Sequence, residues 1–205
     1  MKEHFLEPAQ TPRGDDGNWY KLLFYEILAF VREHSTCWHS WEHGEAHWQL
    51  VAQCGLRLSQ RVANCDAWVV LLFAVFHDAM RCDDGDDWEH GQRASELVHQ
   101  MAARHLRSLS RKQEDMLATA CLLHNRRMPS AHPTIGTCFD ADRLNYPRGG
   151  TSLDTSQLST SAARDPHMIA WSARQLLRPA PGWEKIWQQF VDGKDKADEQ
   201  PFAFS

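Results

Sequence analysis

Six side chains able to ligate a metal follow one another along this chain: His47, the adjacent pair His77-Asp78, His90, His124 and Asp142. Each lies in or beside a stretch with helical apolar spacing. The His77-Asp78 pair is the least expected of them, because the oily run Phe73-Ala74-Val75-Phe76 leads straight into it. Burying an imidazole and a carboxylate together costs several kcal/mol, roughly, unless something satisfies them. A bound cation is the simplest compensation. Neutral imidazoles and carboxylates suit Fe, Mn, Co, Ni or Zn. The pattern therefore predicts a metalloenzyme with a divalent transition metal, one ion or two. No cysteine stands beside these positions, which argues against a Cys-rich structural zinc site.

The segments that must carry these residues read as helices. The spacing predicts a first helix from Trp19 to about His34, capped by Asp16 or Asn18, with Leu23, Ile27 and Phe30 on one face. Residues 35–44 read as a loop. His47, Val51, Cys54 and Leu58 then share one stripe, which points His47 at the core from the first turn of a second helix. Asp66 is placed to cap a third helix, Ala67 to Met80, apolar almost all round and so the most buried, with His77-Asp78 in its last turn. An acidic loop, 81–88, follows. A fourth helix is expected from about Glu89 to Leu106, with His90, Ala94, Leu97, Met101 and His105 facing inward. Ser110 and Gln113 form a capping box for a fifth helix whose stripe ends at His124. Residues 125–137 read as a loop and Cys138 to Leu144 as a short helical piece. Asp165-Pro166 opens another helix, to about Leu177, and Trp183 to Val191 is the last. No alternating strand pattern is visible, so the expected fold class is all-α. Residues 1–17 read as an irregular arm, 18–191 as a single helical domain and 192–205 as a mobile charged tail.

Composition narrows the function. A chain of 205 residues can bury a sizeable core in one domain. Its net charge of −5 leaves no general basic face for duplex nucleic acid, although the 22 Lys and Arg permit a local phosphate pocket. The six cysteines form no CxxC pair and read as reduced, mostly buried small hydrophobes. The longest oily run, Ala67 to Phe76, is too short to span a bilayer. No signal-peptide pattern opens the chain, and a cytoplasmic location is the default expectation. His4, His34, His39, His99, His105, His132 and His167 read as surface or helix-end residues.

The segments His-Trp-Gln-Leu-Val-Ala (47–52), Leu-Phe-Ala-Val-Phe-His-Asp (72–78) and Asp-Ala-Asp-Arg-Leu (140–144) resemble the metal motifs of the HD-domain superfamily. The resemblance covers roughly residues 40–148. It implies a helical bundle with a metal centre between core helices. The superfamily's first His falls on His47, its doublet on His77 and Asp78, and its last ligand on Asp142, with Asp140 as the nearby competitor. In two-metal members, histidines on the following helices hold the second ion and the doublet Asp bridges. His90 and His124 fit that role, or serve a one-metal site as supporting groups. His43, four residues before His47, is an extra ligand in some members and otherwise lines the pocket.

By this resemblance the expected function is a phosphohydrolase, cleaving a nucleotide or other small phosphate ester through a metal-activated water, with Asp78 in the catalytic centre. Arg81 is the first candidate to neutralise the phosphate, with Arg126, Arg127, Arg143 and Arg148 behind it. The acidic loop would repel a highly charged substrate, which favours a monophosphate or a modest phosphodiester. A single His124 followed by Asn125, without a Gly-Tyr-Pro segment, argues against cyclic-dinucleotide cleavage. The ligand inventory also fits the superfamily's mixed-valent di-iron oxygenases. A non-catalytic nucleotide-binding module is the third reading.

Overall fold

The computed structural model describes residues 16–104, 109–150 and 152–198. It is all-helical, with no strand among the described residues: α1 (Asp16–His34), α2 (Glu45–Ser59), α3 (Ala67–Phe76), α4 (His90–Arg104), α5 (Arg111–Leu123), α6 (Pro133–Arg143), α7 (Ser161–Arg164), α8 (Pro166–Gln175) and α9 (Trp183–Asp198). The arm 1–15, His105 and the end of the expected fourth helix lie outside the described residues.

Helix α3 is the axis of the bundle. Every residue from Trp68 to Phe76 is buried, and α2, α5 and α6 pack around it while α4 pairs with α5. Asp66 starts the helix by accepting the amides of Trp68 at 3.0 Å and Val69 at 3.2 Å. Its other oxygen accepts Gln113 Nε2 of α5 at 2.9 Å, so one carboxylate ties two helix starts together. Asp66→Ala is expected to lower unfolding stability by about 1–2 kcal/mol, the usual cost of losing a cap. Urea denaturation measures it, and an unchanged midpoint would contradict the role.

Gly55 sets the spacing on the other side of α3. A Cβ there would lie 2.5 Å from Val70 Cγ1 and 3.2 Å from Ala141 Cβ. The missing side chain lets α2 settle against both α3 and α6, the helices that bring in His77 and Asp142. Among the aromatics, Phe24, Trp68, Trp183, Trp187 and Phe190 form a cluster joining α1, α3 and α9.

Several boundaries differ from the sequence expectation. Helix α1 begins at Asp16, which puts Asn18 within its first turn. Helix α3 stops at Phe76, not Met80, because bonding changes to the tighter i, i+3 pattern: Ala79 N–H donates to Phe76 O and Arg81 N–H to Asp78 O. Helix α6 begins at Pro133, well before Cys138, with His132 at its cap. Pro133 reads as a breaker in sequence, but at the first helical position its missing N–H costs nothing. Helix α9 continues to Asp198, past Val191. The extension includes three aspartates and Gly193, poor helix formers, so residue propensity does not account for it.

All six cysteines are free, with Cys54, Cys121 and Cys138 buried, Cys37 and Cys65 half-buried and Cys82 exposed. Burial pushes the Cys54 thiol up to about 12, which leaves it an inert hydrophobe. No described helix is long and apolar enough to cross a membrane.

Candidate metal centre

The turn after α3 determines where His77 and Asp78 point. Once α3 tightens, the carbonyls of Asp78, Ala79 and Arg81 lose their ordinary helical partners. The loop 35–37 takes them over. Cys37 Sγ donates to Asp78 O at 3.0 Å, Ser35 Oγ to Ala79 O at 2.7 Å and Thr36 Oγ1 to Arg81 O at 2.5 Å. This loop held no candidate site residue in the sequence reading, because its role depends on a contact across more than forty positions.

The six expected ligands, His47, His77, Asp78, His90, His124 and Asp142, are all buried and converge on one place. Asp78 stands at the middle with its two oxygens facing different partners. Oδ2 lies 3.6 Å from His47 Nε2 and 3.5 Å from His77 Nε2. Oδ1 lies 3.3 Å from His90 Nε2 and 3.6 Å from His124 Nε2. Asp142 Oδ1 completes the first group, 3.4 Å from His47 Nε2 and 3.7 Å from His77 Nε2. Within the groups, His47 and His77 bring their Nε2 atoms to 3.3 Å, and His90 and His124 to 2.9 Å. Two ligand atoms each about 2.1 Å from one ion stand roughly 3.0–3.4 Å apart, depending on the polyhedron. The observed separations cluster around that edge length. These buried groups could therefore hold a metal ion.

Tautomers sharpen the point. His77 Nδ1 meets Ala74 O at 3.1 Å, His124 Nδ1 meets Cys121 O at 2.7 Å, and His90 Nδ1 meets Asp87 O. A carbonyl only accepts, so each Nδ1 carries the hydrogen, and Nε2 of a neutral ring is a bare lone pair. In the neutral rings, His90 and His124 then aim two lone pairs at each other across 2.9 Å. Only a shared positive centre, a proton or a cation, makes that arrangement favourable. Among the described residues His47 Nδ1 is buried without a partner, and the ring's polar contacts run through Nε2.

The electrostatics agree with the geometry. Burial works to raise the Asp78 carboxyl, but the imidazoles around it, His77 foremost, hold it well below the usual range. Burial opposes ionisation of Asp142 too, yet contacts with His47 and His77 bring it to about 2. Burial pushes His77 down to about 4 against the pull of both carboxylates, and it also lowers His90. Burial works to lower His124, but Asp78, Asp142 and the Cys121 carbonyl together move it upward. The centre thus pairs ionised carboxylates with imidazoles that burial keeps neutral at His77 and His90, the protonation states a divalent cation selects.

Asp140 and Asp142 have separate tasks. Asp140 turns away from the centre and accepts the amides of Ser159 and Thr160, pinning the segment before α7. His43 is half-buried and places Nδ1 3.0 Å from Asp78 Oδ2, at the wall of the site. Arg81 is buried at the cavity wall: Nε donates to Asp83 O at 3.2 Å and Nη2 to Gly85 O at 2.6 Å, while Nη1 lies 3.3 Å from His90 Nδ1 and 3.9 Å from Asp78 Oδ1. It folds the acidic loop over the centre. Arg143 is buried as well, donating from Nη2 to Met128 O at 2.9 Å. Arg126 is exposed. The Arg148 side chain lies outside the description.

Sequence reading passed over Gly91. A Cβ there would lie 2.7 Å from Cys121 O and 3.1 Å from Leu122 O. These are backbone atoms of α5, so they cannot swing aside. Gly91→Ala is expected to push α4 off α5, separate His90 from His124 and lower stability by about 1–3 kcal/mol. Metal titration should show weaker binding at the His90–His124 group than at the His47–His77 group. Equal retention at both would contradict this account of the packing.

A cavity of about 350 Å³ opens over the centre. Its wall includes Glu42, Asp84, Asp86 and Trp88 from two loops, and Asn125, Arg127, Asn145 and Tyr146 from the segments after His124 and Asp142. Ser40 Oγ donates to Asp84, joining the two acidic loops, and Asn125 Nδ2 donates to Trp88 O at 3.0 Å, closing the far side. No protein-family model, curated protein or solved structure matches the chain.

Proposed function

We propose that this chain is a two-metal phosphohydrolase of the HD type, cleaving a small phosphate ester such as a nucleoside monophosphate. The observation that carries the reading is Asp78, whose two oxygens face separate sets of imidazoles: Oδ1 meets His90 and His124, and Oδ2 meets His47 and His77 with His43 nearer still at 3.0 Å. A carboxylate so placed is suited to bridge two ions. His47, His77 and Asp142 would complete one site, and His90 and His124 the other. Bound divalent ions supply an acidified water and neutralise charge on the phosphoryl oxygens.

The protein's own part is positioning. The carbonyls of Ala74, Cys121 and Asp87 fix the imidazole tautomers so that Nε2 faces inward. Arg81 holds the acidic loop over the centre by its two loop carbonyls. The carboxylates of Glu42, Asp84 and Asp86 on the cavity wall favour a substrate with one phosphate over a triphosphate.

Metal-free protein reloaded with manganese and offered nucleoside monophosphates, sugar phosphates and phosphodiesters tests the reading. Phosphate release that requires metal is expected. The inventory of four histidines and two aspartates also suits a di-iron oxygenase, the second reading. Oxygen consumption by iron-loaded protein, without phosphate release, would replace the first reading by the second. Tight nucleotide binding with no product from either assay would instead favour a binding module.

A further inference from the structure

Five arginines follow the ligands closely enough in sequence to reach a substrate, and the fold separates the four whose side chains are described. Arg81 lines the cavity but is buried, with Nε and Nη2 on loop carbonyls and Nη1 against His90 Nδ1, and Arg143 is buried with Nη2 on Met128 O. Arg126 and Arg127 are both exposed, and Arg126 does not line the cavity. Arg127 does line it, and no hydrogen bond or ion pair among the described residues engages its guanidinium.

Its backbone is also unusual. Arg127 sits at φ 51°, ψ 23°, in the left-handed region. The other described non-glycine residue with positive φ is Asn64, a type that tolerates it. A glycine would suit position 127 without strain. The turn is clamped on both sides, by Arg143 Nη2 on Met128 O and by Asn125 Nδ2 on Trp88 O. Strain kept at a cavity mouth by surrounding contacts marks a side chain retained for what it reaches.

We propose that Arg127, in place of the buried Arg81, is the cation that receives the phosphoryl group of the substrate. The assignment rests on the phosphohydrolase reading. A guanidinium presents a fork of donors that matches two phosphate oxygens at once. Its station three residues after His124 brings that fork to the edge of the centre.

Calorimetric titration of manganese-loaded protein with inorganic phosphate tests this, with metal content measured in parallel. Arg127→Gln should weaken phosphate binding about tenfold or more, the loss typical of a charged hydrogen bond, while metal content stays at the wild-type level. With the best ester found, KM should rise more than kcat falls. Arg127→Lys should recover part of the affinity, and Arg126→Gln should match wild type. Arg127→Gly should melt at or above the wild-type temperature yet lose phosphate binding, which separates the effect from misfolding. A wild type that binds phosphate, with an Arg127→Gln variant that binds it equally well, overturns the assignment and leaves the hydrolase reading standing. A metal-loaded wild type that neither binds nor releases phosphate overturns both.

Discussion

Asp78→Ala is expected to yield a folded, helical protein that holds neither ion and has no metal-dependent activity. The side chain stands after the last residue of α3, so the substitution removes no helical hydrogen bond. The backbone anchor from Cys37 Sγ to Asp78 O survives it. Both ligand groups lose their shared member at once, because Oδ1 faces His90 and His124 while Oδ2 faces His47 and His77. Asp142→Ala is the contrast, since Asp142 meets only His47 and His77 and should release one ion. Elemental analysis after gel filtration and circular dichroism measure the two effects together. An Asp78→Ala chain with wild-type metal content would contradict the bridging role.

The second large effect is a loss of stability in mild acid. In the folded, metal-free chain His77 stays neutral down to about 4, whereas its ordinary value is 6.5. Between those values the unfolded chain binds a proton that the folded chain refuses. Stability is therefore full above pH 6.5 and falls as the pH drops toward 4. For one buried group a shift of this size corresponds to roughly 3 kcal/mol, against a typical folding margin of about 5–15 kcal/mol. His90, also lowered by burial, adds in the same direction. His124 works the other way: raised by Asp78, it contributes stability below 6.5 that is lost as the pH rises through its own higher value. Metal binding steepens the dependence on acid, because protons and cations compete for the same Nε2 atoms. Denaturation midpoints measured with a chelator from pH 7.5 to 4.5 should fall through this window, and His77→Asn should flatten the curve. A wild-type midpoint that is level from 6.5 to 4.5 would contradict the burial argument.

Much of the centre was legible in the sequence because its ligands sit where polarity conflicts with burial. His77-Asp78 after Phe73–Phe76 announces a buried charge, and His47, His90 and His124 each end or begin an apolar stripe. The all-α class followed from the same periodicities. What stayed hidden depends on contacts between distant segments. The two-sided placement of Asp78 comes from the loop 35–37 catching three carbonyls after α3, which local spacing does not encode. Arg81, one turn past the doublet, does line the cavity, and only the folded acidic loop reveals the carbonyls that engage its Nε and Nη2. Asp140 and Asp142 look alike in sequence. They separate once Ser159 and Thr160 are seen to bond to the former. Pro133 and the charged end of α9 misled because residue type alone does not fix a residue's position within a helix.

The central claim is that four imidazoles and two carboxylates gather here to hold cations. Elemental analysis of the 205-residue chain, purified without chelators and normalised to protein concentration, tests it most directly. The account predicts about two transition-metal ions per chain, removable by chelator and restored by manganese or iron with a rise in melting temperature. A chain that carries no metal, and whose melting temperature is indifferent to excess manganese, iron or zinc, would contradict it.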